Sequence, residues 1–309
     1  MPLDLAAQAQ KLSAHQAHHP RLCKLARPRP VTNDWTLHIR PPGLPSRVRL
    51  IAKLIGFIGL TLPLMPVQAL LIHTWPAGAR RLPHWYHRRV CKLLGVRVKV
   101  EGQLARGAPV LLIANHASWL DIPVVSAAAP VSFVAKKEVS NWPFVSRLAK
   151  LQRSVFVDRT RRTSIGGTAD EMTMRLAAGD NLVLFAEGTS SDGARVLPFK
   201  TSLLAAAKPS RNGAASTAVV QTLAVVYTHI HGLPIGRSDR PMVGWYGDME
   251  LPNHVWNLLV SAPIDVTVRF GEPVPLDAFA DRKELARHGE ALVRAEVVNL
   301  LRGGRQARD

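Results

Sequence analysis

Cysteine is almost absent from this 309-residue chain. Cys23 and Cys91 are the only two, and neither lies in a Cys-x-x-Cys or Cys/His spacing. That excludes a disulfide framework and a thiolate zinc site, and it fits a reducing compartment. His-Glu-x-x-His is missing too, and with it the spacing that sets two imidazoles on one helix face around zinc, so no metal is expected. No Gly-x-Ser-x-Gly occurs, so no nucleophile elbow is available to an attacking serine. Acidic residues are scarce: 22 Asp and Glu stand against 40 Lys and Arg, a formal charge of +18. Such a balance implies an anionic partner, whether nucleic acid, phospholipid surface or phosphorylated small molecule. Nucleic acid is the weakest of these, because no zinc pattern, RNP-like aromatic motif or continuous basic helix appears. No apolar stretch lies near Met1, so a cleaved secretory signal is not expected.

Residues 1–49 form a basic, proline-containing arm with little periodicity, in which Lys11, Arg21, Lys24, Arg27, Arg29, Arg40, Arg47 and Arg49 oppose only Asp4 and Asp34. An arm of this kind reads either as a solvated tail of no specific function or as a segment drawn to anionic lipid. Residues 50–95 read as membrane-associated. Leu54 to Ile72 carries no charge, and as one helix it would span roughly 28 Å, close to the thickness of a hydrocarbon core. Pro63 and Pro66 interrupt it, and both flanks are basic, which places both ends on the cytoplasmic side. A re-entrant or interfacial hairpin is therefore favoured over a single span, with a buried helical pair as the soluble alternative. From Leu82 to Leu94, Leu82, Trp85, Tyr86, Val90, Leu93 and Leu94 fall at helical spacing opposite His84, His87, Arg88, Cys91 and Lys92, a pattern suited to a lipid interface or to ordinary packing.

Beyond Gly95 short apolar runs alternate with helical segments. Val96 to Val100, Val110 to Ala114, Val131 to Ala135, Val155 to Val157, Leu182 to Phe185, Leu223 to Tyr227 and Val266 to Phe270 read as strands. Pro143 to Leu151 and Ser164 to Ala178 read as helices between them. This is the pattern of an α/β domain, over residues 96–275, with a mixed, mostly parallel sheet flanked by helices. A charged amphipathic helix, Arg282 to Leu301, closes the chain within residues 276–309. No repeat is present.

Reactive groups in such sheets gather beyond the carboxyl ends of strands, and four polar clusters sit there: Asn115 to Asp121, Lys136-Lys137-Glu138, Asp158-Arg159, and Glu187 to Ser191. In the first, Asp121 can reach back to His116, fix its tautomer and leave the second nitrogen to take a proton from a hydroxyl. With 12 His and 13 Asp in 309 residues, chance alone supplies about half a pair at this spacing, so the neighbouring clusters must carry the weight. Lys136, Lys137 and Arg159 are cations suited to an anionic head group, the arginine with a forked geometry. Glu187 with Gly188 offers a carboxylate beside an amide that a ligand can approach closely. Each has a plainer reading: a solvated lysine pair, a surface ion pair, and a turn with a helix cap.

Asn115-His116-x-Ser118-x-x-Asp121, Phe156-Val157-Asp158-Arg159 and Phe185-x-Glu187-Gly188-Thr189, in that order, resemble the glycerolipid acyltransferases, especially the bacterial 1-acyl-glycerol-3-phosphate acyltransferases. The resemblance implies transfer of a fatty acyl group from acyl-CoA or acyl-carrier protein to a lysolipid hydroxyl at the cytoplasmic face of the bacterial inner membrane. By it His116 is the general base, Asp121 its partner and Arg159 a head-group binder. Glu187, Gly188 and Thr189 belong to the acceptor site, Asn115, Ser118, Lys136 and Lys137 line the substrate, and the thioester donor is the only co-reactant. The third block departs from the family's usual Phe-Pro-Glu-Gly-Thr-Arg, with Ala186 for proline and Ser190 for arginine. The continuation through Asp192-Gly193 to Leu197-Pro-Phe-Lys200 resembles a branch that includes lyso-ornithine lipid acyltransferases, whose acceptor lacks the phosphate. Lysophosphatidate is the leading acceptor on this reading and lyso-ornithine lipid its rival. A non-catalytic basic protein binding membrane or nucleic acid is the alternative of a different class.

Overall fold

The computed structural model describes residues 44–157, 162–206, 218–261 and 263–303. The chain divides into two units, Met1–Pro42 and Gly43–Asp309, and every described residue belongs to the second. Most of the basic arm, Cys23, and the Asp158-Arg159 pair lie outside the described residues.

Eight strands form one sheet: β1 (Val96–Glu101), β2 (Val110–Ala114), β3 (Ser132–Lys136), β4 (Val155–Val157), β5 (Leu182–Phe185), β6 (Val219–Ile230), β7 (Leu233–Pro234) and β8 (Ile264–Pro275). Their order is β1-β8-β6-β2-β5-β3-β4, with β7 pairing β6. Strands β6, β2, β5, β3 and β4 run parallel to one another, and β8 with β1 runs the other way. The mixed, mostly parallel sheet expected from the alternation is thus present. The runs read from sequence as Leu223 to Tyr227 and Val266 to Phe270 are only the middles of β6 and β8, whose polar ends continue the antiparallel ladder.

Strand β2 sits at the centre because it has two apolar faces. Val110, Leu112 and Ala114 pack with the helices α2 (Pro76–Leu94) and α3 (Asp121–Ala128), while Leu111 and Ile113 pack with α5 (Arg162–Ala177) and α7 (Arg282–Leu301). All five β2 residues are fully buried, as a parallel strand covered on both sides requires. Asp281 caps α7 by accepting from the backbone of Lys283 and Glu284, and the helix keeps the limits its periodicity suggests. Two further helices, α4 (Val145–Leu151) and α6 (Leu251–Ser261), complete the layer that carries the N-terminal helix.

That N-terminal helix, α1 (Leu44–Thr74), is continuous through Pro63 and Pro66, so the hairpin break expected at the prolines does not form. Each proline removes one internal hydrogen bond, but polar residues along α1 fasten it to the domain. Lys53 Nζ donates to Leu94 O (3.1 Å) and Leu259 O (2.9 Å), Thr61 bonds the Tyr86 hydroxyl (2.8 Å), and Gln68 Nε2 donates to Ala79 O and Leu151 O (both 2.9 Å). The opposite side, with Val48, Ile51, Ile55, Ile58, Leu62 and Leu70, is exposed. By length and composition Val48–Thr74 would suffice to cross a membrane.

Helix α2 buries Val90 and Leu94 of its apolar face as expected, but its inward side also takes in residues from the polar face. Pro83, Val90, Cys91 and Leu94 are buried, and the His84 and His87 rings bond Ser126 O (2.7 Å) and Ser126 Oγ (2.9 Å) on α3. Ser126 supplies the partners that let the imidazoles turn inward. Burial lowers His87 to about 4, so its ring is neutral at physiological pH. Trp85 faces outward beneath the Arg89 guanidinium.

Candidate active site

Strand β2 ends at Ala114, level with Phe185 of β5 and Leu223 of β6, and side chains then replace the ladder. Asn115 bonds the β6 backbone in both directions, Nδ2 to Val225 O (2.9 Å) and Val225 N to Oδ1 (2.8 Å). On the β5 side, His116 N donates to Glu187 Oε1 (3.0 Å) and His116 O accepts from Ser191 N (2.9 Å). The His116 ring lies flat on Phe185, 4.1 Å between centroids. Backbone and ring are therefore both fixed where β2 opens to the surface.

Asp121, the first residue of α3, is completely buried and accepts four hydrogen bonds. Its Oδ2 takes His116 Nδ1 (2.8 Å), Ala117 N (2.7 Å) and Ser118 N (3.0 Å), and its Oδ1 takes the Tyr227 hydroxyl (2.6 Å). The two backbone N–H groups on Oδ2 fix that oxygen as an acceptor. Burial, together with the Asp121 charge and hydrogen bond, holds the Tyr227 hydroxyl well above the ordinary phenol range, so it stays a donor. An oxygen that already takes two N–H groups accepts from the ring as well, so Nδ1 of His116 carries the proton and Nε2 is left as the basic atom. The imidazole is 19% exposed, and Nε2 makes no hydrogen bond among the described residues. The arrangement is that of a histidine oriented to remove a proton.

The other sequence-predicted residues separate into two groups. Thr189, Lys136 and Lys137 are exposed, the lysines at the same carboxyl edge of the sheet, where β3 ends as β2 does. Asn115, Ser118, Glu187 and Gly188 are buried. Ser118 Oγ accepts from Leu120 N (3.3 Å) within its own turn, which turns this hydroxyl into the core and away from a role in attack. Glu187 accepts His116 N on one oxygen and Leu197 N (3.2 Å) on the other. Burial pushes its carboxyl up to about 7. It bears on the site through the backbone of His116. Gly188 has φ +71°, a backbone conformation that suits glycine, and it turns the chain after β5. Arg159 lies outside the described residues.

Three contacts escape sequence reasoning. Tyr227, the fourth partner of the carboxylate, sits four residues beyond Leu223 on β6, which carries it past the end of β2 to Asp121. Its signal is a hydroxyl at the end of an otherwise apolar strand, since a buried tyrosine needs a partner. Trp119 Nε1 donates to His254 Nδ1 (3.0 Å), whose Nε2 meets Gly244 O (2.8 Å). Trp245 N donates to Ala117 O (2.8 Å). Nothing local in the sequence marks the last two. A separate cavity, lined by Gly102, Ala105, Arg106, Pro109, Pro130 and Asn181 among others, lies where β2 begins and holds none of these groups.

A family model described as "Acyltransferase" matches residues 96–226, from β1 into β6, a stretch that holds His116, Asp121 and Glu187 and stops one residue short of Tyr227. A "Lyso-ornithine lipid O-acyltransferase" of Brucella abortus is 47% identical over 257 residues, 83% of this chain and 96% of that one. The chain belongs to the acyltransferase family. A "1-acyl-sn-glycerol-3-phosphate acyltransferase" of Neisseria meningitidis is 31% identical over 64% of this acyltransferase and 74% of its own length. The crystal structure of the 1-acyl-sn-glycerophosphate acyltransferase of Thermotoga maritima, 21% identical, shares the fold, with a TM-score of 0.59 over 85% of this chain and 98% of the other. The family is one of enzymes, which removes the reading of a non-catalytic basic protein. The resemblance read from the three sequence blocks is borne out.

Proposed function

We propose that this acyltransferase moves a fatty acyl group from acyl-CoA or acyl-carrier protein to the free hydroxyl of lyso-ornithine lipid. The observation that carries the acceptor is the 47% identity that runs through 96% of a relative bearing that name. The relative named for glycerol phosphate matches less of the chain and less closely. This reverses the order expected from sequence, which put lysophosphatidate first, and it agrees with Ser190 standing where the family's usual third block has an arginine.

His116 Nε2 takes the proton of the acceptor hydroxyl as its oxygen attacks the thioester carbonyl. The C–S bond then breaks, and the imidazolium returns the proton to the departing thiolate. A thioester is already activated, so no acyl-enzyme is needed. Asp121 stabilises the imidazolium and keeps the proton of the resting ring on Nδ1. Glu187, Asn115 and Ser118 hold the loop, while Lys136 and Lys137 present positive charge at the sheet edge to an anionic donor or surface. Helix α1 lies along one leaflet on the cytoplasmic face with its apolar side in lipid, because Lys53 near one end and Gln68 near the other both bind the domain. A helix held along its length in this way does not leave the domain to span the bilayer.

The test is purified protein with labelled acyl-CoA or acyl-carrier protein and both lysolipids. Preferential acylation of lyso-ornithine lipid, abolished in His116→Ala without loss of vesicle binding, is the expected result. Product from lysophosphatidate alone overturns the acceptor, and substantial turnover by His116→Ala overturns the base.

A further inference from the structure

Two segments bond the backbone of the dipeptide His116-Ala117. Ser191 N donates to His116 O (2.9 Å), and Trp245 N donates to Ala117 O (2.8 Å). What lies beside each contact is thereby placed next to the base. Beside Ser191 comes Asp192, which accepts from Ala194 N (2.9 Å) on Oδ1, and then Gly193 at φ +69°. A Cβ on Gly193 would stand 3.2 Å from the Ala117 Cβ and 3.6 Å from Arg240 Nη1. Arg240, from the single turn Arg237–Met242, therefore aims its guanidinium at the Gly193 turn, against the loop that carries His116.

Arg240 and Asp192 are both half-buried, and no ion pair joins them. Among the described residues the Arg240 guanidinium makes no hydrogen bond or ion pair. The two charges still share one patch: the half-buried Tyr246 hydroxyl is pushed up by burial and by Asp192 and pulled down by Arg240. The stretch from Ser190 to Gly193 brings no cation, and the loop's next one, Arg195, is exposed. An opposed cation and carboxylate, close together but unpaired, are the complement of a zwitterion. An ornithine acylated on its α-nitrogen is such a zwitterion, with one carboxylate and one δ-ammonium. A phosphate monoester would meet one favourable charge here and one repulsive one.

We propose that Arg240 and Asp192 form the head-group subsite of the acceptor, Arg240 pairing with the ornithine carboxylate and Asp192 with the δ-ammonium. This rests on the lyso-ornithine lipid reading. The subsite sets specificity and leaves the chemistry to His116.

The test uses the full chain, one acyl donor and three acceptors that share a 3-hydroxyacyl chain amide-linked to ornithine, to 1,4-diaminobutane, which lacks the carboxylate, or to norvaline, which lacks the ammonium. Arg240→Ala should raise KM for the ornithine acceptor about tenfold to a hundredfold, the range for a lost charged hydrogen bond, with a smaller change in kcat. On the diaminobutane acceptor its loss should shrink to about twofold. Asp192→Asn should behave the same way, with norvaline as the indifferent acceptor. Turnover of the diaminobutane acceptor shows that the Arg240 variant is folded, and Arg240→Gln, closer in volume, replaces it if it is not. Equal losses on all three acceptors, or none, overturn the subsite. Failure of the unsubstituted protein to acylate the ornithine acceptor overturns the functional reading instead, before any variant is compared.

Discussion

Replacing Asp121 by asparagine separates the two things its carboxylate does, because the site dictates which way the amide must face. Oδ2 receives the backbone amides of Ala117 at 2.7 Å and Ser118 at 3.0 Å, neither of which can turn. Oδ1 receives only the Tyr227 hydroxyl, which can rotate and accept instead. The asparagine oxygen must therefore take the place of Oδ2, with its NH2 towards Tyr227. The reverse orientation sets an NH2 group against two N–H donors. His116 then still donates from Nδ1, and Nε2 remains the base. What disappears is the negative charge beside the imidazolium formed during transfer. Two unit charges about 4 Å apart at an effective dielectric of about 20 attract by roughly 4 kcal/mol, equivalent to about a thousandfold in rate. Asp121→Asn should accordingly fold, bind acceptor with little change in KM, and lose about a hundredfold to a thousandfold in kcat. The assay is steady-state transfer from a labelled thioester beside His116→Ala, with thermal unfolding as the control for folding. A loss as complete as that of His116→Ala would mean that the tautomer had inverted and the backbone amides do not set the orientation. A loss below tenfold would reduce Asp121 to a clamp on the loop.

Three further perturbations probe the surroundings. Glu187, pushed up to about 7 by burial against an unfolded value of 4.5, keeps a proton that the unfolded chain has released between those pH values. Stability should therefore fall by about 3 kcal/mol as pH rises through that window. Urea melts of Glu187→Gln should show a flatter slope, and an unaltered slope rejects burial as the cause. His254→Phe removes the acceptor of the Trp119 indole and the donor to Gly244 O, at about 1–3 kcal/mol for each buried group left unpaired. His254→Gln, which offers both an acceptor and a donor, should recover part of the lost kcat, and equal damage from the two variants counts against the bond to Trp119. Ile55→Asp with Ile58→Asp should weaken binding to anionic vesicles at least tenfold, since burying each isoleucine is worth about 1.5–3 kcal/mol; undiminished co-sedimentation removes α1 from the lipid contact.

The sequence makes the catalytic strand end legible because that signal is local. Val110 to Ala114 is an unbroken apolar run, and the polar residues that stop it are the ones that hold His116, the proposed base. Helix α7 is legible for the same reason, with Asp281 as its cap and buried Leu285, Gly289, Val293, Val297 and Leu300 at helical spacing. Orientation is not local. Asn115 and Ser118 look like loop residues open to a ligand, yet their partners, Val225 O and Leu120 N, turn them inward. Tyr227 lies 106 residues from Asp121, and only the parallel pairing of β6 with β2 brings them together. The prolines of α1 read as breaks in the helix, yet it runs through them, held by the tertiary bonds of Lys53, Thr61 and Gln68.

Those bonds also tie the apolar helix to the chemistry. Lys53 Nζ donates to Leu94 O, at the carbonyl end of α2 where a cation is favoured, and to Leu259 O in α6. Helix α6 carries His254, and His254 holds Trp119, two residues before Asp121. From the outward apolar side of α1 to the carboxylate that orients His116, every step is thus a hydrogen bond or a short stretch of continuous backbone. In the proposed function, an acceptor whose hydroxyl lies at a lipid surface must meet His116 at a fixed depth. A helix that merely floated in the lipid could not set that depth, whereas one fastened through α6 to the catalytic loop does. The polar residues of α1 face the protein and the apolar ones face away because the same helix has to hold both the surface and the site.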